Sequence, residues 1–181
     1  MPDIGGLYGS PGLVKCILLQ TLEPAGTPAG LTLGRDSAGA IRYGDDVAEN
    51  DPKLSPDGSR VAFIRRAPNS GANGFGWRIF VVPAASPLNE VNVSVALGSS
   101  LLNDDVLPEW VDDTTLVFAN IASSVGFNTR TSWVMQRGGS GRKRVALPEG
   151  FRYSDVYPFR DNAGNPKMAV SAEKIAATCV A

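Results

Sequence analysis

A phrase that recurs along this chain limits what it can fold into more than any other feature. Its sharpest form is Asp51-Pro52-Lys53-Leu54-Ser55-Pro56-Asp57-Gly58-Ser59-Arg60-Val61-Ala62-Phe63, with a worn copy at Leu107-Pro108-Glu109-Trp110-Val111-Asp112-Asp113-Thr114-Thr115-Leu116-Val117-Phe118. A third copy runs through Tyr157-Pro158-Phe159-Arg160-Asp161-Asn162-Ala163-Gly164 into Lys167-Met168-Ala169-Val170. In each, a proline opens a short apolar segment, a polar turn follows, and an apolar strand closes the unit. Turn chemistry explains the middle: Pro56 presets φ, Asp57 bonds its own backbone beside Ser55, and Gly58 accepts positive φ. Pro-Asp-Gly between two apolar runs therefore predicts a hairpin.

The anchoring prolines Pro52, Pro108 and Pro158 stand 56 and then 50 positions apart, a spacing typical of repeat architectures. Between the first two anchors, Trp77–Val82 and Val91–Leu97 supply further strands, the latter alternating apolar and polar residues. After the second come Ser132–Gln136 and Lys143–Leu147, parted by the turn Gly138-Gly139-Ser140-Gly141. Four short strands per unit predict propeller blades. The 20 glycines and 13 prolines are spread along the chain and punctuate many short strands, so the expected fold class is all-β. Only Ala169–Ala177 has a helix-favouring composition, which predicts a short C-terminal helix.

The run Leu54-Ser55-Pro56-Asp57-Gly58-Ser59-Arg60-Val61-Ala62-Phe63 resembles the repeat of TolB-like β-propellers. The likeness is close in one unit, looser in the other two, and spans roughly residues 45 to 170. It implies a single propeller-type domain: divergent strands over 1–44, blades over 45–100 and 101–150, and an incomplete blade over 151–181. At about 45 residues a blade, three units and a fragment fall short of the four or more that close a ring. A second copy, another chain, or a longer version of this one is then expected to cover the open edges. A ring that brings the ends together leaves open a Cys16–Cys179 pairing, although Cys16 within Val14–Leu19 reads as a small buried hydrophobe.

Other patterns exclude more than they suggest. The chain has no histidine, which removes imidazole-dependent triads and His-based zinc or haem ligation. With 17 basic and 18 acidic residues there is no excess of positive charge for a nucleic acid backbone. The pairs Asp45-Asp46, Asp104-Asp105 and Asp112-Asp113 read as solvated turn acids, and Asp36–Gly39 and Asp161–Asn165 as hairpin turns in place of calcium loops. Gly71–Gly76 lacks the G-x-G-x-x-G order of a dinucleotide loop. Cys179-Val180-Ala181 would open a C-x-x-C-H haem site only if Cys-His followed, so no cofactor and no metal are expected. The apolar run Leu13–Leu22 is too short to span a bilayer and lacks the basic flank of a signal peptide.

The leading expectation is a non-enzymatic protein-binding or scaffolding module that uses loops on one propeller face. Phe75, Trp77 and Phe127, beside Gly/Asn-rich loops, are the expected partner contacts, together with Arg142 and Arg144 in the basic run near the Gly-rich turn. Trp110 and Phe159, just after the anchor prolines, are expected in the core. Two alternatives stand beside this one: an accessory propeller of a serine peptidase or multihaem redox enzyme, and a self-assembling structural subunit. The resemblance implies the periplasm or cell exterior.

Overall fold

Apolar runs cut at short intervals by glycine, proline and aspartate favour short strands joined by turns. The computed structural model describes residues 18–19, 29–32, 49–68, 75–86, 89–94, 103–124, 127–147 and 151–174. Among them there are only strands: β1 (Leu18–Leu19), β2 (Ala29–Gly30), β3 (Glu49–Leu54), β4 (Arg60–Pro68), β5 (Phe75–Pro83), β6 (Val91–Asn92), β7 (Asn103–Trp110), β8 (Thr115–Ser124), β9 (Phe127–Gln136), β10 (Lys143–Arg144), β11 (Phe151–Arg160) and β12 (Pro166–Lys174). The protein is all-β.

The strands pair in chain order. A first sheet runs β3-β4-β5-β6 and a second β7-β8-β9-β10, both antiparallel, while β1-β2 and β11-β12 are two-stranded. No sheet closes on itself among the described residues. The expected helix over Ala169–Ala177 is a strand as far as Lys174, because pairing with β11 along its whole length overrides the local helix preference. Its last residues, 175–177, lie outside the described residues, as do most of the divergent strands expected over 1–44, both cysteines and Asp45-Asp46.

Both four-stranded sheets are apolar on two faces, which is why Val61-Ala62-Phe63-Ile64 and Leu116-Val117-Phe118-Ala119 are continuous runs and do not alternate. On one face of the first sheet, Val61, Phe63, Phe80 and Val82 enclose Leu31. On the other, Ala62, Ile64, Ile79, Val81 and Val93 pack against Trp110, Leu116, Phe118 and Met135 of the second sheet. Strand β11 lies against β7, β8 and β9, so the β11-β12 hairpin covers part of the second sheet's far face. The layers thus follow one another in chain order.

Three hairpin turns share one construction. Gly58, Gly139 and Gly164 each donate an amide to the carbonyl three residues back, at Ser55 (2.9 Å), Gln136 (2.7 Å) and Asp161 (2.8 Å). All three have φ between 71° and 86°, which only glycine adopts without strain. At Gly139 space forbids a side chain as well, since a Cβ would stand 2.3 Å from the Val93 carbonyl oxygen of the first sheet.

The anchor prolines carry a feature that composition does not announce. The residue before each of the first two, Asp51 (φ 50°) and Leu107 (φ 53°), is left-handed, and the ladder slips there, between Asn50 and Lys53 in β3 and between Val106 and Glu109 in β7. Such a backbone costs a non-glycine residue on the order of 1–3 kcal/mol. The bulge bends each first strand. At Pro158 the pairing is regular, and the slip in β11 falls earlier, between Tyr153 and Asp155.

Candidate functional site

Three residues before each of the first two anchor prolines stands a buried acid, Glu49 in β3 and Asp105 in β7, and each holds a buried arginine. In the first sheet the arginine is Arg65 of β4, whose Nε donates to Glu49 Oε1 (2.9 Å) and whose Nη2 donates to both Glu49 and Glu90 (3.1 Å). Thr32 closes the network by donating its hydroxyl to the other Glu49 oxygen. The guanidinium lies 4.7 Å from the Phe80 ring centre and 5.3 Å from that of Phe63. Those rings stack at 5.6 Å.

In the second sheet the position equivalent to Arg65 is Asn120, which donates to Asp105 Oδ1 (2.8 Å). The cation comes instead from Arg142, just ahead of β10, and bonds both Asp105 oxygens, at 3.0 and 2.8 Å. It sits 4.7 Å from the Phe118 ring centre and 4.9 Å from that of Trp133, the pair in register with Phe63 and Phe80. Two charge-assisted bonds to one carboxylate and two aromatic faces make a strong, desolvated seat for a guanidinium.

This overturns two expectations. Asp104-Asp105 are not turn acids: Asp105 is 3% exposed within a strand, and Asp104 accepts the Trp77 amide (2.9 Å) across to the first sheet. Nor is Arg142 presented as the partner contact expected, because its side chain is 9% exposed and committed to Asp105. Among the other expected contacts, Arg144 is exposed in β10, and Trp77 is half-buried against the core between the sheets. Phe75 opens β5 and Phe127 opens β9, but their side chains fall outside the described residues. The buried networks were missed because their partners lie far apart in sequence, and the only available signal was an acid at a fixed offset from each anchor proline.

The turns hold the sheets together at one end. The Ser55 hydroxyl, and then the Ser59 amide and hydroxyl, hold the Asp57 carboxyl at about 2 against an ordinary 3.8. The Asp57 amide donates to Asp113 of the next unit (2.8 Å), and Lys53 pairs with Glu109. At Asp112 burial opposes ionisation, but hydrogen bonds from Thr114 and Thr115 outweigh it and lower the carboxyl. Asp161 is lowered chiefly by the Asn165 amide, in the hairpin turn expected there.

The far side of the second sheet is different. Trp110, 7% exposed, fills the space between the first two sheets, its indole N–H donating to the Lys53 carbonyl (2.9 Å). By hairpin register its counterpart one unit on is Arg160, which is exposed and donates to Gly164 of its own turn (2.8 Å). Ala119 and Ser132 likewise stand where the first sheet has Ile64 and Ile79. These smaller residues leave a cleft of about 180 Å³ between the second sheet and β11, bordered by the left-handed Leu107, Glu109, Val117 and Tyr157. The hairpin exposes Tyr157 (56%) and Phe159 (50%) on one face and Phe151 and Met168 on the other. Phe159 is therefore not the core residue expected.

Among the described residues no group of three or more acids or cysteines could hold a metal, and no helix is long and apolar enough to cross a membrane, which says nothing of a β-barrel. In comparisons with protein-family models, with curated proteins and with solved structures, nothing matches this chain.

Proposed function

We propose that this protein is a non-enzymatic binding or scaffolding module built as part of a β-propeller, TolB-like in its repeat, that engages a protein partner through the β11-β12 hairpin. Support for a blade series comes from two successive four-stranded meanders, stacked in chain order and carrying the same buried acid, aromatic pair and guanidinium. The single observation that carries the binding role is the exposed pair Tyr157 and Phe159, two positions apart along β11 and so on one face of the hairpin. Large aromatics on one exposed sheet face are the kind of anchor that protein interfaces use. With no histidine in the chain, the reading assigns it no imidazole chemistry. The periplasm or the cell exterior is proposed as its place of work, in keeping with the repeat likeness.

The test is a photo-crosslinking amino acid introduced at Phe159 and, as a control, at the equally exposed Leu54 of the first sheet. A discrete heavier adduct from position 159 and none from 54 is expected in the native cell. Equal yields from both, or no adduct from 159, would contradict the reading. A second reading, assembly of identical copies, is favoured by β12, which among the described residues is paired on one side only. It predicts that the adduct contains two copies of this chain.

A further inference from the structure

We propose that the cleft between the second sheet and β11 is the seat for a tryptophan side chain presented by a partner polypeptide. This deepens the binding role above and rests on it. The molecule contains its own precedent. Between the first and second sheets the same layer of space is filled by Trp110, whose ring lies in the core with Ala62, Ile64 and Ile79 and whose N–H reaches a first-strand carbonyl, that of Lys53. One unit on, the residue after the anchor proline is Glu109, so its carbonyl is the counterpart acceptor, and Glu109 borders the cleft. The ring is what is missing, because Arg160 stands in its place and bonds its own turn.

Size agrees with chemistry. The cleft of about 180 Å³ is too small for a drug-sized ligand, which takes roughly 300 Å³ or more, yet an apolar cavity of about 150 Å³ holds benzene. One aromatic side chain fits that range. Val117 and Ala119 give an apolar floor, Ser132 a small one, and the exposed Tyr157 and Leu107 a rim. A pocket for one buried ring inside a wider apolar rim is how interface anchors are commonly seated. The left-handed backbone at Leu107 keeps the bulge, and with it the Glu109 carbonyl, in the arrangement that serves Trp110 one unit earlier.

The experiment follows amide chemical shifts of the whole protein during titration with three probes: a blocked Gly-Trp-Gly peptide, its Gly-Leu-Gly counterpart, and free indole. Saturable shifts at Leu107, Val117, Ala119 and Ser132 are expected with the tryptophan peptide, and a response at least tenfold weaker with the leucine peptide. Ser132→Ile, which restores the first sheet's residue, and Arg160→Trp, which supplies the ring from within, should each weaken the tryptophan peptide at least tenfold. The Arg160→Trp protein should also melt at a higher temperature, so one variant remains interpretable if the other fails to fold. Absence of saturable shifts, equal binding of the leucine peptide, or binding unchanged in both variants would overturn the proposal. Binding of free indole without the peptide would overturn it too. Failure here with a specific adduct at position 159 leaves the binding module standing, whereas peptide binding without that adduct removes the module and not the cleft.

Discussion

The first and second sheets share one socket and fill it in two ways. In each, a guanidinium lies over a cross-strand aromatic pair and against a buried acid three residues ahead of the anchor proline. The first sheet builds it from Glu49, Arg65 and Glu90, two acids and one base with a net charge of −1. The second uses Asp105, Asn120 and Arg142, which are neutral together. Arg65 comes from the second strand and Arg142 from the approach to the fourth, so the seat for the cation belongs to the layer and not to any one strand. Redundancy also differs. Among the described residues Arg65 has two acids, with Glu90 Oε2 buried and unpaired, while Arg142 has Asp105 alone.

That difference predicts unequal damage. Asp105→Asn leaves the Arg142 charge buried without an acid and should cost about 3–5 kcal/mol, read from the urea midpoint. Glu49→Gln, with Glu90 still in place, should cost only about 1–2 kcal/mol. Equal losses would break the comparison.

The turns separate the sheets again. Gly139→Ala adds the cost of positive φ to a Cβ driven into the Val93 carbonyl and should destabilise by about 3 kcal/mol. Gly58→Ala meets open space and should cost about 1 kcal/mol. An effect between those two, about 1–2 kcal/mol, is expected for Trp110→Phe, which keeps a ring between the sheets but leaves the Lys53 carbonyl without its indole partner.

Acid should produce the smallest change. Asp57 is lowered from 3.8 to about 2 by Ser55 and Ser59, so its contribution is present above about pH 4 and is lost as pH falls toward 2. Asp112 and Asp161 are lowered as well and act in the same direction. Melting temperature followed from pH 5 to 2 should fall less steeply in Asp57→Asn than in the native protein. An unchanged slope would remove Asp57 from the account.

The strand order and the Ser55–Gly58 and Asp161–Gly164 turns were legible because their causes are local: a proline, an aspartate and a glycine at fixed offsets between apolar runs. The sockets were not. Asp105 and Arg142 are 37 residues apart, and nothing near either announces that one neutralises the other, so Asp105 reads as a solvated turn acid and Arg142 as a partner contact. Phe159 was read as core by its likeness to Trp110. Register puts it opposite Lys167, and Arg160 takes the tryptophan's place, a shift of one position that turns a side chain to the other face. The C-terminal segment was read as helix because composition carries propensity, whereas its pairing with β11 is a tertiary matter.

If the two sheets are equivalent units whose socket accepts a cation from either strand, a double-mutant cycle in the first sheet will reveal it. Arg65→Asn alone should be severely destabilising, since it strands Glu49 and Glu90. Adding Glu90→Arg rebuilds the second sheet's arrangement in the first. The double variant should be more stable than the sum of the single losses by at least about 2 kcal/mol in urea unfolding. A double variant no better than that sum would contradict the equivalence.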